Sequence, residues 1–206
     1  VCILAFIGYF SFYFIDFWTM RLDQANQALQ KKHEKLYQLS IKDHLTKIYN
    51  RSYLYGQMPE LLQTLQADGG CLSVIVFDLD HFKRINDNYG HQAGDQVLRE
   101  FSQQVQENVQ AEHIFARLGG EEFILVAPRL DKNNALNLAQ TIKQTVKTIT
   151  IKGQKPEHQL TVSLGIYVTK NLNQSLDQMI SVADKAMYQA KSNGRDQAVI
   201  VTDDKR

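Results

Sequence analysis

At 206 residues the chain has room for one ordinary domain and an appendage. A hydrophobic fraction of 44% and a charged fraction of 22% are those of a globular protein and exclude a disordered or fibrous one. The formal net charge of +1, without a basic stripe interleaved with aromatics, gives no ground for a nucleic-acid partner.

Cys2 and Cys71 lie far apart in sequence, so a disulfide framework is not expected and a reducing compartment fits. The histidines never take a spacing such as H-x-x-x-H, so no zinc site is expected.

The opening run Val1 to Ile15 is uncharged and rich in aromatics, and it stops at Asp16. A full membrane span needs roughly 20 apolar residues. Residues 1–20 are expected to be the end of a transmembrane helix, with Trp18 at the interface and Arg21, Lys31 and Lys32 on the cytoplasmic side. On that expectation the chain sits at the inner (cytoplasmic) membrane with the domain that follows in the cytoplasm. A buried helix of a soluble domain is the alternative; a secretory signal lacks both its basic start and its cleavage site.

Residues 21–42 read as a helical linker. Ile15, Leu22, Leu29 and Leu36 recur every seven residues, with Leu39 beyond them, a short heptad seam suited to a dimeric coiled coil. Ala25 and Lys32 interrupt it, and a lone amphipathic helix is the competing reading.

From residue 43 to 206 the pattern is that of one compact domain. A helix is expected over 51–66, ended by Asp68-Gly69-Gly70. The continuous apolar run Cys71 to Leu79 predicts a strand buried on both faces. Helices follow over 82–88 and 94–109. A hairpin of 114–118 and 122–127 turns at Gly119-Gly120. A helix over 132–149, a strand over 160–168, a helix from the N-cap Ser175 to Ser192 and a last strand over 197–201 complete the chain. The fold class expected is α/β (α+β), a central and mostly antiparallel sheet covered by helices, related to the split βαβ plan.

Two acidic clusters carry the chemistry. Asp78 and Asp80 end an apolar strand, where an ionised carboxylate is costly unless paired or bound to a metal. Strand alternation puts both on one face. Glu121 and Glu122 sit in the tight turn of the hairpin, where like charges repel unless a cation lies between them. Together they suit a hard divalent cation, most simply Mg²⁺, with Mn²⁺ as a substitute. A polar strand end that merely caps a helix is the ordinary alternative.

Lys83 stands on the short helix after that strand, and the backbone N–H groups of His81 and Phe82 are placed to meet phosphate oxygens. Asn86 and Asp95 flank the Tyr89-Gly90-His91 turn; an amide and a carboxylate match the acceptor and donor edges of guanine, although both could be ordinary helix caps. Lys191 and Arg195 bracket Asn193-Gly194, either as charges closing a helix or as a clamp for a triphosphate.

The span Asp43 to Val201 resembles a GGDEF domain in its GGEEF form. Four blocks carry the likeness: Asp43-x-Leu-Thr-x-x-x-Asn50-Arg51, the stretch from Asp78 to Asp95, Arg117-x-Gly-Gly-Glu-Glu-Phe123, and the stretch from Ala186 to Arg195. Lys47 departs from the glycine usual in the family. The resemblance implies a ferredoxin-like, nucleotidyl-cyclase palm, preceded here by the long N-terminal helix. It also implies Mg²⁺ held by Asp78, the Leu79 carbonyl and Glu121, with Glu122 in a metal-binding or catalytic role. Asn86 and Asp95 would read guanine. His81, Phe82, Lys83, Lys191 and Arg195 would hold phosphates, while Arg117 and Asp80 support the site.

The activity implied is that of a diguanylate cyclase: two GTP joined into cyclic di-GMP with release of pyrophosphate, in a homodimer built through the N-terminal helix with catalytic domains facing. A non-catalytic module that binds GTP or cyclic di-GMP and regulates a partner is the alternative, and a cyclase acting on one GTP a third. Many relatives carry Arg-x-x-Asp upstream of the hairpin as a product-binding brake. Gln110 and His113 stand at those positions, so no inhibitory site is expected.

Overall fold

The computed structural model describes residues 2–150 and 159–203. These fall into two units, one up to Ser40 and one from Ile41 onward. The first is a single helix α1, Cys2–Ile41, so the stretches expected as membrane end and linker form one continuous helix. Among the described residues no helix is long and apolar enough to cross a membrane, and the span expected at 1–20 finds no support. Most of its apolar run, 1–13, lies outside the residues whose side chains are described. The seam positions Ile15, Leu22, Leu29, Leu36 and Leu39 are all exposed.

The second unit opens with a two-residue strand β1 (Tyr49–Asn50) and helix α2 (Arg51–Asp68), followed by strand β2 (Leu72–Leu79). Next come α3 (Phe82–Tyr89), α4 (His91–Asn108), β3 (Ile114–Gly119) and β4 (Glu122–Pro128). Helix α5 (Lys132–Val146), strand β5 (Val162–Thr169), helix α6 (Leu176–Ser192) and strand β6 (Ala198–Thr202) finish the chain. The strands form one sheet in the order β1-β3-β4-β2-β5-β6. The three inner pairings are antiparallel, and the two edge strands pair parallel.

β2 lies at the centre, and all its residues are buried, as its unbroken apolar run predicts. Ile75, Phe77 and Leu79 face one layer, where Phe101 of α4 and Ile142 of α5 meet Phe115 and Phe123. Leu72, Val74 and Val76 face the other, with Leu54 of α2 and Met179 and Ala183 of α6. The result is a sheet between two helical layers. Phe77, Phe101, Phe115 and Phe123 pack ring to ring with centroids 4.7–6.4 Å apart, the range favoured by aromatic pairs.

Caps explain several helix limits. Asn50 accepts from the Tyr53 N–H at the start of α2, which ends at Gly69 with φ 68. Ser175 and Gln178 form a reciprocal capping box at the start of α6. α4 begins at His91 rather than 94, because the chain reverses on Gly90 alone, whose carbonyl accepts from the N–H groups of Ala93 and Gly94. β1 has no counterpart in the sequence pattern; two residues show no periodicity, and only their pairing with Ala116 and Arg117 makes them a strand.

Candidate active site

The site forms where β2, β4 and α6 come together. Asp78 is the penultimate residue of β2 and pairs across the sheet with Glu122, the first residue of β4. Between β3 and β4 the chain turns on Gly119 (φ 155) and Gly120 (φ 53), with a register shift after Arg117. That turn carries Glu121 beside Glu122. Asp78 shares the parity of Val74 and Val76 along β2 and therefore meets α6. There the Lys191 Nζ lies 2.8 Å from its Oδ2.

The electrostatics show a local excess of negative charge. Burial, then the neighbouring Asp78 carboxylate, raise the pKa of Glu121, against the pull of Lys191; Glu122 adds to the rise. Asp184, two turns before Lys191 on α6, is also raised, by burial. Among the described residues no three His, Cys, Asp or Glu side chains form a ready-made metal cage. A divalent cation held by two carboxylates and a carbonyl, and otherwise by water and phosphate oxygens, suits such a sparse donor set. Lys191 is the group now balancing Asp78.

Asp80 has a different task from Asp78. It lies one residue past β2, is 5% exposed, and accepts from the Thr161 and Ser163 hydroxyls at 2.7 Å and from the Asp196 N–H at 3.0 Å. This is a carboxylate satisfied by the fold, in keeping with a supporting role. Arg117 is likewise a brace. Its Nε and Nη2 donate to the Gly120 carbonyl at 2.9 and 2.7 Å, and its Nη1 to Asp43 Oδ1 at 3.0 Å. Asp43 also accepts from the hydroxyl and N–H of Thr46. Burial alone would raise its pKa, but the two Thr46 bonds and the Arg117 guanidinium outweigh it and hold it at about 2.

A profile described as "Diguanylate cyclase, GGDEF domain" matches residues 40–197. The chain belongs to the GGDEF domain family. It is 35% identical over 164 residues to the response regulator PleD of Caulobacter vibrioides, covering 79% of this chain and 36% of the relative. To the probable diguanylate cyclase DgcT of Escherichia coli it is 33% identical, covering 77% of this chain and 35% of the relative. The chain thus spans about a third of the length of these two relatives. Among solved structures, the coiled coil and GGDEF domain of DgcB from Caulobacter crescentus, in complex with c-di-GMP, superposes with a TM-score of 0.75 at 25% identity. It covers 88% of this chain and 97% of that one. The active GGEEF domain of a diguanylate cyclase from Vibrio cholerae gives 0.67 at 29% identity, covering 73% and 96%.

The remaining motif positions of this GGDEF domain lie on α3, α4 and the loop after α6. His81 adopts a left-handed conformation (φ 59) at the start of α3, and no side chain caps the helix there. Lys83 on its first turn is exposed. Asn86 and Asp95, on α3 and α4, are half-buried. Gly94 is packed so closely against Asn86 that a Cβ there would stand 1.9 Å from its Oδ1. Arg195 follows α6, exposed and without an ion-pair partner among the described residues. Lys47, the departure from the family's glycine, has φ 63, a conformation that glycine adopts at no steric cost.

His113 is 6% exposed, and its Nδ1 accepts from the Gln110 N–H at 3.3 Å. Burial lowers its pKa, against the nearby Glu112. The ring is turned to its own loop. Four polar groups of the neighbourhood had no signal in the sequence: Thr161, Ser163, Lys143 and Lys147. Each acts on Asp80 or Asp196 across the fold, at a separation where no local pattern connects them.

Proposed function

We propose that this domain is a diguanylate cyclase that condenses two GTP molecules into cyclic di-GMP and releases two pyrophosphates. The observation that carries the reading is the pairing of Asp78 with Glu122 across adjacent strands, with Glu121 in the turn and Lys191 at 2.8 Å above Asp78. Relatives named as diguanylate cyclases support it.

In this reading Asp78, the Leu79 carbonyl and Glu121 hold Mg²⁺ or Mn²⁺, with Glu122 beside them in a metal-binding or catalytic role. Such an ion, when bound, neutralises phosphate charge and eases deprotonation of the ribose 3′-hydroxyl. Asn86 donates its amide to the O6/N7 edge of guanine, and Asp95 accepts from N1–H and N2–H₂. The N–H groups of His81 and Phe82, with Lys83, Lys191 and Arg195, bind the phosphates and spread the charge that the departing pyrophosphate develops. The attacking oxygen belongs to the second GTP. Each domain binds one substrate, and two domains must face each other. The α1 seam brings two copies together.

Incubating the protein with GTP and Mg²⁺, beside Glu122→Gln, and separating the nucleotides should give cyclic di-GMP from the unaltered chain alone. GTP binding without any dinucleotide would favour the regulatory module instead; a cyclic mononucleotide would favour the one-GTP cyclase. Gln110 and His113 leave the enzyme without the usual product brake. A submicromolar product inhibition constant abolished by Gln110→Ala would overturn that part.

A further inference from the structure

The loop after α6 has an unusual backbone. Arg195 (φ 65) and Asp196 (φ 45) are consecutive non-glycine residues in the left-handed region, which L side chains disfavour. A strained pair of this kind persists only where its surroundings over-determine it. Three attachments are visible. The Arg195 N–H donates to the Ala190 carbonyl at 3.0 Å. The Asp196 N–H donates to Asp80 Oδ2, itself fixed by Thr161 and Ser163. The Asp196 carboxylate meets α5: Lys147 Nζ lies 2.5 Å from Oδ2 and Lys143 Nζ 3.6 Å from Oδ1. Oδ1 is buried and accepts no hydrogen bond, so the Lys143 charge is what compensates it.

We propose that Lys143 and Lys147 are positioning residues for Arg195: by clamping Asp196 they hold the left-handed turn that aims the Arg195 guanidinium at the GTP phosphates. The inference rests on the reading of Arg195 as a phosphate ligand. Guanidinium recognition of phosphate is directional and often bidentate, so it depends on where the turn stands as well as on charge. Without the two lysines the Asp196 carboxylate is left partly buried and uncompensated, and it gains by rotating toward water. The turn then relaxes to an easier conformation and carries Arg195 with it. Neither lysine touches the substrate.

The test measures binding of 3′-deoxy-GTP, which lacks the attacking hydroxyl, and of guanosine, which lacks all phosphates, by calorimetry with Mg²⁺ present. Lys143→Met/Lys147→Met should weaken 3′-deoxy-GTP about tenfold, the cost of misaiming a charged bidentate contact. Guanosine affinity should stay unchanged, and Lys147→Arg should retain tight binding. Thermal melts establish that the variants fold, and Lys147→Gln alone serves where the double variant does not. Unchanged 3′-deoxy-GTP binding in a folded double variant, while Arg195→Ala weakens it, overturns the clamp alone. Equal weakening of both ligands also overturns it, since that marks general damage. No effect of Arg195→Ala removes the phosphate reading of Arg195, and the clamp falls with it.

Discussion

Asn86 and Gly94 stand on successive helices, yet they act as one fitted pair. A Cβ at position 94 would come within 1.9 Å of Asn86 Oδ1 and 3.2 Å of Phe82 Cζ. The Asn86 amide is the mobile partner, so it yields first, and the core under Phe82 yields little. Gly94→Ala should therefore spare the fold and spoil guanine recognition. Losing one well-placed amide contact is worth about 1–1.5 kcal/mol. The expected result is a KM for GTP raised about tenfold, with the melting temperature moved by only a few degrees. Steady-state kinetics beside a melt reads both, and an unchanged KM would show that Asn86 does not contact the base. Glycine here is needed for space, which its place in the motif could not reveal.

Among the elements, the hairpin depends on a brace from the start of the domain. Arg117 ties the Gly120 carbonyl to Asp43, and Thr46 completes the ring of donors around that carboxylate. The Asp43 pKa is lowered from 3.8 to about 2 in the folded state. A depressed carboxylate contributes its full stability above the unfolded value, and loses it as pH falls from about 4 through about 2. Allowing for solvent screening, the contribution is on the order of 1–2 kcal/mol. Asp43→Asn should lower stability by that amount at pH 7, with the difference from the unaltered chain closing near pH 2. Urea unfolding at both pH values measures it, and a pH-independent difference would mean that the charge is not what stabilises the turn. Much of this element was readable beforehand: the alternation of the hairpin, its Gly-Gly turn and the unbroken apolar run of β2 follow from local pattern. The strand order did not, since nothing local says that β2 sits between β4 and β5. That arrangement came with the family resemblance. Clamps such as Lys147 on Asp196 escape sequence reading because their partners meet only once the sheet has formed.

For the whole molecule, the question is what the exposed α1 leucines do. Leu22, Leu29 and Leu36 are 59%, 62% and 57% exposed along a 40-residue helix, and a run of apolar side chains left to water is stabilised by a partner. A second copy of α1 fits the seven-residue spacing and also the proposed chemistry, in which one domain holds only half of a two-GTP site. Burying a leucine in such a seam contributes about 1.5–3 kcal/mol. Replacing all three with serine in both copies should therefore raise the concentration for half-maximal assembly at least a hundredfold, a shift of about 2.7 kcal/mol. Activity per protomer should fall steeply on dilution in Leu22→Ser/Leu29→Ser/Leu36→Ser. At high protein concentration it should recover toward that of the unaltered chain, since no catalytic group is changed. Cyclic di-GMP formation across a dilution series, beside sedimentation of the same samples, reads the effect. Matching dilution curves for the two proteins would show that the facing domains assemble without α1; a low plateau that concentration does not restore would show that the leucines serve the fold rather than the dimer.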